Sequence, residues 1–434
     1  MRIAYITAGA AGMYCGTCLH DNTLAAALQK QDHEVSLIPT YTPIRTDEKS
    51  VAGQRIFFGA LNVYFQQKLA IFRRTPRLLD RIFDSPRLLN FIGKLGASST
   101  DAKMLGELTL SMLQGGKGNQ AKELDKLADF LAEIVQPEVV HLSTTLFAGF
   151  ARRLKEKLKV PVVCSLQGED LFFDDLIEPW KSKILLELAE RVKDVDRITS
   201  PCDFYTGLMS DRFGVPREKV VKARLGIDAE DFRGVERKER PAGGPLVVGY
   251  LARRAPEKGL HHLVEAFIQL AKSRLPGSVR LAVAGFLAVK DQAYFAAQQQ
   301  RIREAGLDSQ VDWVGEVDRQ AKVEFLAGCD VFSVPTVYQE PKGLFVAEAL
   351  AAGTPVVLPD HGSFPEWIEA TGGGLLVEPE NPAALAAALG RLLDAPEERR
   401  KLGELGRRSI LESFTGEKMA AEMLEIYRQV LRAA

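Results

Sequence analysis

Short apolar runs alternate with longer amphipathic stretches along nearly the whole chain. Arg2 to Thr7, Glu34 to Ile38, Val139 to Leu142, Pro161 to Leu166 and Arg197 to Thr199 read as strands. Between them, Thr17 to Gln31, Phe150 to Leu158 and Ser182 to Val192 repeat their apolar residues at helical spacing. Strand, helix, strand in this order predicts a parallel sheet covered by helices on both faces.

After Phe232 the pattern lapses into GVERKERPAGGP, whose charge, proline and glycine predict a linker. A second alternation follows. Leu246 to Leu251, Val279 to Ala284, Val311 to Val314, Val331 to Pro335, Pro355 to Leu358 and Gly374 to Val377 are strands, with Gly259 to Ser273 the first of the helices between them. The expected fold class is α/β, with two doubly wound parallel-sheet domains over 1–233 and 244–416. The last helix, Glu417 to Leu431, has no strand after it, so segment 417–434 is expected to cross back to the first domain. Two such domains predict a cleft, with ligands at the carboxyl ends of the strands.

One stretch, about 45–135, breaks the alternation. It carries Phe57, Phe58, Tyr64, Phe65, Phe72, Phe83 and Phe91, interleaved with Lys68, Arg73, Arg74, Arg77, Arg81 and Arg87. A structureless loop of that length is improbable in a compact domain, which predicts a helical insertion with its aromatics packed inward. An acceptor-recruiting lid, or a helix lying on anionic lipid, is the sharper alternative. Asp80 and Asp84 dilute the basic face and count against lipid.

Composition narrows the partners. The chain has 434 residues, 56 Lys plus Arg against 57 Asp plus Glu, and a formal net charge of −1. That balance argues against nucleic acid, which selects basic stripes. No apolar stretch approaches the ~20 residues of a spanning helix, leaving at most peripheral membrane contact. MRIAYITAG lacks the marks of a secretory leader and reads as a first strand. Five scattered cysteines argue for a reducing compartment, and so for a cytoplasmic location.

The segment VFSVPTVYQEPKGLFVAEALAAGTPVVLP, residues 331–359, is the most informative. A strand ends, a loop carries Glu340, and a helix starts near Gly343 and stops at Gly353, with Glu348 inside it. Gly343 lets the backbone come close to a ligand, and the free N–H groups of a helix start suit an anion or sugar hydroxyls. Carboxylates accept hydrogen bonds from hydroxyls, so the pair suits a polyhydroxylated ligand carrying phosphate. A second segment, GYLARRAPEKG, places Arg253, Arg254 and Lys258 at another strand end, where they are either diphosphate ligands or solvated cations. Overall neutrality is expected to conceal a pairing of Arg253 and Lys258 with Glu340 and Glu348. The turn GAAGMYCGTC, with Gly9, Gly12 and Gly16, is a weak dinucleotide fingerprint, because its spacing is wrong and no acidic residue follows the second strand. Cys15, Cys18 and His20 lack the second ligand pair that structural zinc needs, so no metal is expected. His141 and His361 are expected to point toward the cleft.

These segments resemble family 4 retaining glycosyltransferases. Glu340 to Glu348, within GLFVAEALAAGTPVV, is similar to the family's Glu, seven residues, Glu signature. ARRAPEKG resembles GRLVPEKG, VGEVDRQAKVEFLAGCDVFSVPT resembles a G-x-V-x-x, helix, aDvfvlPS run, and GGGLLVEPENPAALAAAL resembles the GLLV-P-x-D-P stretch. CGTCLHDNTLAAALQKQDHEV and ARLGIDAEDF stand where the first domain has its glycine-rich helix and NGVD-x-x-x-F segments.

The resemblance implies a GT-B fold, with an acceptor-side first domain and a donor-binding second domain. It implies that Arg253 and Lys258 neutralise the diphosphate of a UDP-, GDP- or ADP-linked sugar. Glu348 would bond the ribose and Glu340 the transferred sugar, with the backbone of Lys342, Gly343, Leu344 and Phe345 around phosphates and sugar. Gly16 would approach the diphosphate, and Val314, Gly315 and Glu316 would lie near the base. It implies metal-independent transfer by front-side displacement with no cofactor, to a carbohydrate, lipid-linked or small-molecule acceptor. The sequence departs from the family pattern at Gln167-Gly168-Glu169-Asp170, where HG-x-D is usual. It departs again at Cys15-Gly16 in place of GG, and at Lys342 in place of Phe. Gln167, Asp170 and His141 remain sugar-side or acceptor candidates. A nucleotide-sugar epimerase, a non-catalytic nucleotide-sugar-binding module and a NAD-dependent oxidoreductase are the rival readings.

Overall fold

The computed structural model describes residues 1–9, 15–53, 55–73, 102–235 and 244–433. The chain divides into two compact units, Met1–Arg224 with Gly416–Ala434, and Leu225–Thr415. Each contains one six-stranded parallel sheet. Gly12, Arg74, Arg77, Asp80, Arg81, Phe83, Asp84, Arg87, Phe91 and most of the expected linker (236–243) lie outside the described residues.

In the first unit the strands are β1 (Arg2–Thr7), β2 (Glu34–Pro39), β3 (Val139–Leu142), β4 (Val162–Ser165), β5 (Arg197–Ser200) and β6 (Val220–Lys222). They lie in the order β2-β1-β3-β4-β5-β6. The inner strands β1, β3 and β4 are almost wholly buried, as continuous apolar runs covered on both faces should be. One face packs Ile3, Tyr5, Leu24, Leu28 and Val163 against Met419, Met423, Leu424, Ile426, Tyr427 and Val430 of the final helix, Gly416–Ala433. A helix with that much apolar surface needs a partner, and the first unit supplies it.

The described part of the 45–135 stretch contains helices Ala60–Lys68, Ala102–Leu113 and Ala121–Phe130. Phe57 and Phe58 are buried, and Phe58 stacks on Phe150 with ring centroids 4.9 Å apart. Gly106 lies against Trp180, where a Cβ would come within 2.5 Å of the indole. These aromatics complete the core of the first unit. Phe65 and Phe72, only half-buried, stack on each other at 5.0 Å. Among the described residues no helix is long and apolar enough to cross a membrane.

In the second unit the strands are β7 (Leu246–Leu251), β8 (Val279–Ala284), β9 (Val311–Gly315), β10 (Val331–Phe332), β11 (Val356–Pro359) and β12 (Gly374–Val377). Their order is β12-β11-β10-β7-β8-β9, so the direction of winding reverses between β7 and β10. In open parallel sheets a ligand binds outside the carboxyl ends of the strands at such a reversal. The division falls at 224–225 and not at 233–244. Leu225 to Arg233 belong to the second unit because Phe232 is fully buried there. Arg319 bonds the Asp228 carbonyl and the Asp231 carboxylate, and Arg407 bonds the carbonyls of Phe232 and Arg233.

Candidate functional site

The loops after β7 and β10 meet at the switch point of the second unit. The first runs from Ala252 to Gly259, ending in a short turn over Pro256–Lys258. Gly259 has φ +70°, and a Cβ there would lie 1.6 Å from the Pro335 carbonyl oxygen, so only glycine lets the two loops approach this closely. The Val337 amide donates to the Glu257 carbonyl at 3.0 Å and ties the second loop to the first.

That registration brings Lys258 onto Glu340. The Lys258 ammonium donates to Glu340 Oε2 at 2.6 Å and to the Tyr338 hydroxyl at 2.7 Å, and Tyr338 in turn donates to Glu340. Glu340 Oε1 accepts from the backbone amides of Lys342 and Gly343, at 3.2 and 3.3 Å. Both ionic side chains are nearly buried, 12% exposed for Lys258 and 6% for Glu340. Burial alone would raise the Glu340 carboxyl. The Lys258 charge, with hydrogen bonds from Lys258, Tyr338 and the Gly343 amide, overcomes that and holds it down at about 2. The ammonium also sits 5.5 Å from the Phe345 ring centroid.

Gly343, with φ +68°, opens the helix Leu344–Ala351. Trp367 supports it from below, donating its indole N–H to the Lys342 carbonyl at 2.7 Å. The Ser363 amide donates to the Glu340 carbonyl at 2.8 Å, and His361 bonds the Thr336 carbonyl at 2.9 Å. The loop is therefore clamped on three sides, and the amide-rich helix start points at the cluster of Lys258, Tyr338 and Glu340. A rigid array of a cation, amide donors and a carboxylate can bind phosphate oxygens and hydroxyls together.

The other expected residues stand apart from this cluster. Arg253 pairs with Glu257 at 2.9 Å and Glu348 pairs with Lys322, so of the four-residue pairing only Lys258–Glu340 forms. The cause is reach: Arg253 is four residues from Glu257 in its own loop, whereas Glu348 faces the helix Arg319–Ala327. Arg254 lies over the Phe295 ring at 4.5 Å. Val314, Gly315 and Glu316 lie at the end of edge strand β9, with Val314 and Glu316 exposed.

In the first unit, Gly16 is the exposed first residue of the helix Gly16–Lys30. Gln167 donates through its amide to Asp21 Oδ1 at 2.6 Å. Tyr5, Thr7 and His20 also bond the Asp21 carboxylate, which is fully buried. Burial alone would raise Asp21, but the His20 hydrogen bond and charge, with Thr7 and Gln167, hold it below its ordinary value. Asp170 accepts from the Tyr205 hydroxyl at 2.9 Å, and burial pushes it up to about 6. His141 does not point out of the sheet. It is fully buried in β3, bonded to Tyr427 at 2.6 Å and Ser165 at 2.7 Å, and burial pushes its pKa down to about 3. Side chains of a doubly covered strand alternate between two buried faces, so a position near the strand end does not imply exposure. Cys15 and Cys18 hydrogen-bond to each other, and that bond, with burial, pushes the Cys18 thiol far up. Among the described residues no group of three or more His, Cys, Asp or Glu side chains could hold a metal ion.

Comparison with known proteins gives this geometry a lineage. A family model described as "Glycosyl transferases group 1" matches residues 232–409, and one described as "Glycosyl transferase 4-like domain" matches residues 22–226. The chain belongs to the GT-B glycosyltransferases, of the GT4-like type. It is 30% identical over 220 residues to an MMP α-(1→4)-mannosyltransferase of Mycolicibacterium hassiacum, covering 50% of either chain. It is 27% identical over 297 residues to a glycogen synthase of Mycobacterium tuberculosis, covering 67% of this chain and 69% of the relative. The chain thus spans half the length of the first relative. A sucrose-phosphate synthase from Thermosynechococcus elongatus shares the fold, with TM-score 0.71, 20% identity, and coverage of 100% of this chain and 99% of that one. HepE of Anabaena, solved with UDP, does so at TM-score 0.66 and 17% identity, covering 99% and 100%.

Three residues of this glycosyltransferase's candidate site escape a reading of the sequence. Tyr338 looks like a loop aromatic until its hydroxyl is seen bridging Lys258 and Glu340. Lys322 is hidden in the polar run RQAK, although Val323 beside it is buried. Trp367 acts through a carbonyl, which no side-chain motif encodes.

Proposed function

We propose that this glycosyltransferase moves a sugar from a nucleotide-diphosphate sugar to an acceptor hydroxyl, with retention at the anomeric carbon and without a metal ion. The observation that carries the reading is the buried array of Lys258, Tyr338 and Glu340 at the amide-rich start of Leu344–Ala351, set at the switch point of the second sheet. When the sugar–phosphate bond breaks, negative charge grows on the departing diphosphate. Lys258 and the helix-start amides of Leu344 and Phe345 are the donors placed to meet that charge as it develops, which is where electrostatic stabilisation has most effect. Arg253 is close enough in sequence to add a second cation. Glu340, held ionised, accepts hydrogen bonds from hydroxyls of the transferred sugar, and Glu348 from the ribose. The base would lie by Val314 to Glu316.

The acceptor hydroxyl attacks the anomeric carbon on the face the diphosphate leaves. Its proton passes to the departing phosphate oxygen, so no protein nucleophile is needed and the configuration is retained. Gly16 is assigned to the donor diphosphate, and Gln167 and Asp170 to the sugar or acceptor side; all three lie in the first unit. HepE, solved with UDP and also with UDP-glucose, supports a uridine-linked donor among the three candidates. The five cysteines form no disulfide, in keeping with a cytoplasmic site of action.

The test is product stereochemistry. UDP-, GDP- and ADP-glucose are incubated with the protein in excess EDTA, and the anomeric configuration of the transferred or released sugar is read by NMR. Retention in EDTA is expected. An inverted product, or turnover only on adding a divalent cation, contradicts the proposal.

A further inference from the structure

We infer that Lys322 is a positioning residue that fixes the Glu348 carboxylate for ribose recognition and thereby sets the enzyme's preference for ribonucleotide donors. The inference rests on the proposed function above. Lys322 lies on the helix Arg319–Ala327, which leads into β10, and Glu348 on the helix Leu344–Ala351, which leads out of it. The two side chains meet as an ion pair with exposures of 8% and 7%. Lys322 donates to Glu348 Oε1. Glu348 Oε2 takes no hydrogen bond among the described residues, and the Glu348 side chain keeps 7% of its surface exposed.

A carboxylate with one oxygen tied to a buried ammonium and the other open is a pre-oriented acceptor. Without the tie, its torsions would be free and its desolvation uncompensated. Position along the helix supplies the ligand class. Leu344, the first residue of the helix, and Glu348 are four apart and share a face, one turn or about 5.4 Å along the axis. Phosphate oxygens at the helix start and sugar hydroxyls one turn further along match the diphosphate and ribose of a nucleotide. The open oxygen is suited to accept from the vicinal 2′- and 3′-hydroxyls. Lys322 touches no reacting atom in this scheme, and its effect passes through Glu348.

The experiment compares the full chain with Lys322→Met and Lys322→Gln, titrating each calorimetrically with UDP, GDP and ADP and with the 2′,3′-dideoxy form of whichever binds. Wild type should bind the ribonucleotide at least about tenfold more tightly than its dideoxy form, as one charged hydrogen bond implies. Lys322→Met should reduce that ratio to about twofold or less. Lys322→Gln, whose amide still donates to Glu348, should give a ratio between the two. In donor kinetics the Met variant should raise KM with kcat little changed. If Lys322→Met does not fold, the Gln variant decides, because a wild-type ratio there overturns the inference. So does an unchanged ratio in a folded Met variant, or a wild type indifferent to the ribose hydroxyls. If no nucleotide binds the wild type, the proposed function fails and the inference falls with it, an outcome distinct from the others.

Discussion

Lys258 and Glu340 form the pair on which the site turns, and burial makes the consequences of mutating them unequal. Removing Lys258 leaves a carboxylate side chain that is 6% exposed with its main counter-charge gone. Lys258→Ala should therefore cost the second unit about 3 kcal/mol or more in denaturant unfolding, besides abolishing transfer. Glu340→Gln keeps the shape and removes the charge. It should lower kcat by roughly 100-fold with a much smaller loss of stability. An unchanged stability in Lys258→Ala would argue that the pair is not buried as described. His141 offers a test by pH. Its folded pKa, about 3, lies below the ordinary 6.5, so the unfolded chain binds the proton first and stability falls as pH drops through that window. Between pH 7.5 and 5 the group should account for roughly 2 kcal/mol of lost stability, and His141→Gln should show a correspondingly smaller decrement. Glu340 has the opposite sign of shift. Its contribution is complete above 4.5 and is lost as pH falls toward 2. At this scale the sequence identified ionic residues well and their partners poorly. Glu340 and Lys258 were legible because both sit in short loops that a parallel sheet must bring together. Arg253, His141 and Glu348 were paired differently because a residue type does not encode which neighbour lies nearest.

The two loops hold their register through backbone contacts, so the element is sensitive where side chains are absent. Gly259→Ala would drive a Cβ into the Pro335 carbonyl, and both the unit's stability and Lys258's placement should suffer. Gly343→Ala meets Trp367 at 3.1 Å from a φ of +68° and should cost on the order of 1–2 kcal/mol. It should also weaken nucleotide binding. The final helix is the other sensitive element. Met423→Ala removes a side chain from the core it shares with Tyr5, Leu24 and Leu28, and should cost about 2–5 kcal/mol in thermal unfolding. A change within 0.5 kcal/mol would show that the helix is not part of that core. Long periodic helices and buried strands were legible from the apolar pattern. β6, three residues only partly buried, carried too little apolar signal. β10 shrank to Val331–Phe332 because the chain turns away beyond Phe332 into the loop that holds Tyr338 and Glu340. The segment 225–233 looked like the end of the first domain because its anchors, Arg319 and Arg407, lie far along the chain.

At the scale of the whole molecule, a net charge of −1 is the sum of many local ion pairs, and the candidate donor site is one of the few that is buried. The family assignment accounts for two doubly wound units on one chain, while the proposed chemistry rests on a handful of residues in the second. A ligand that binds only the folded chain at ~100 times its dissociation constant adds about 2.7 kcal/mol of stability. The most direct measurement is calorimetric titration of the intact protein, in EDTA, with UDP-, GDP- and ADP-glucose. Saturable binding of at least one of them without metal, weakened in Glu340→Gln, is the predicted result. Failure of all three to bind the folded protein would contradict the account.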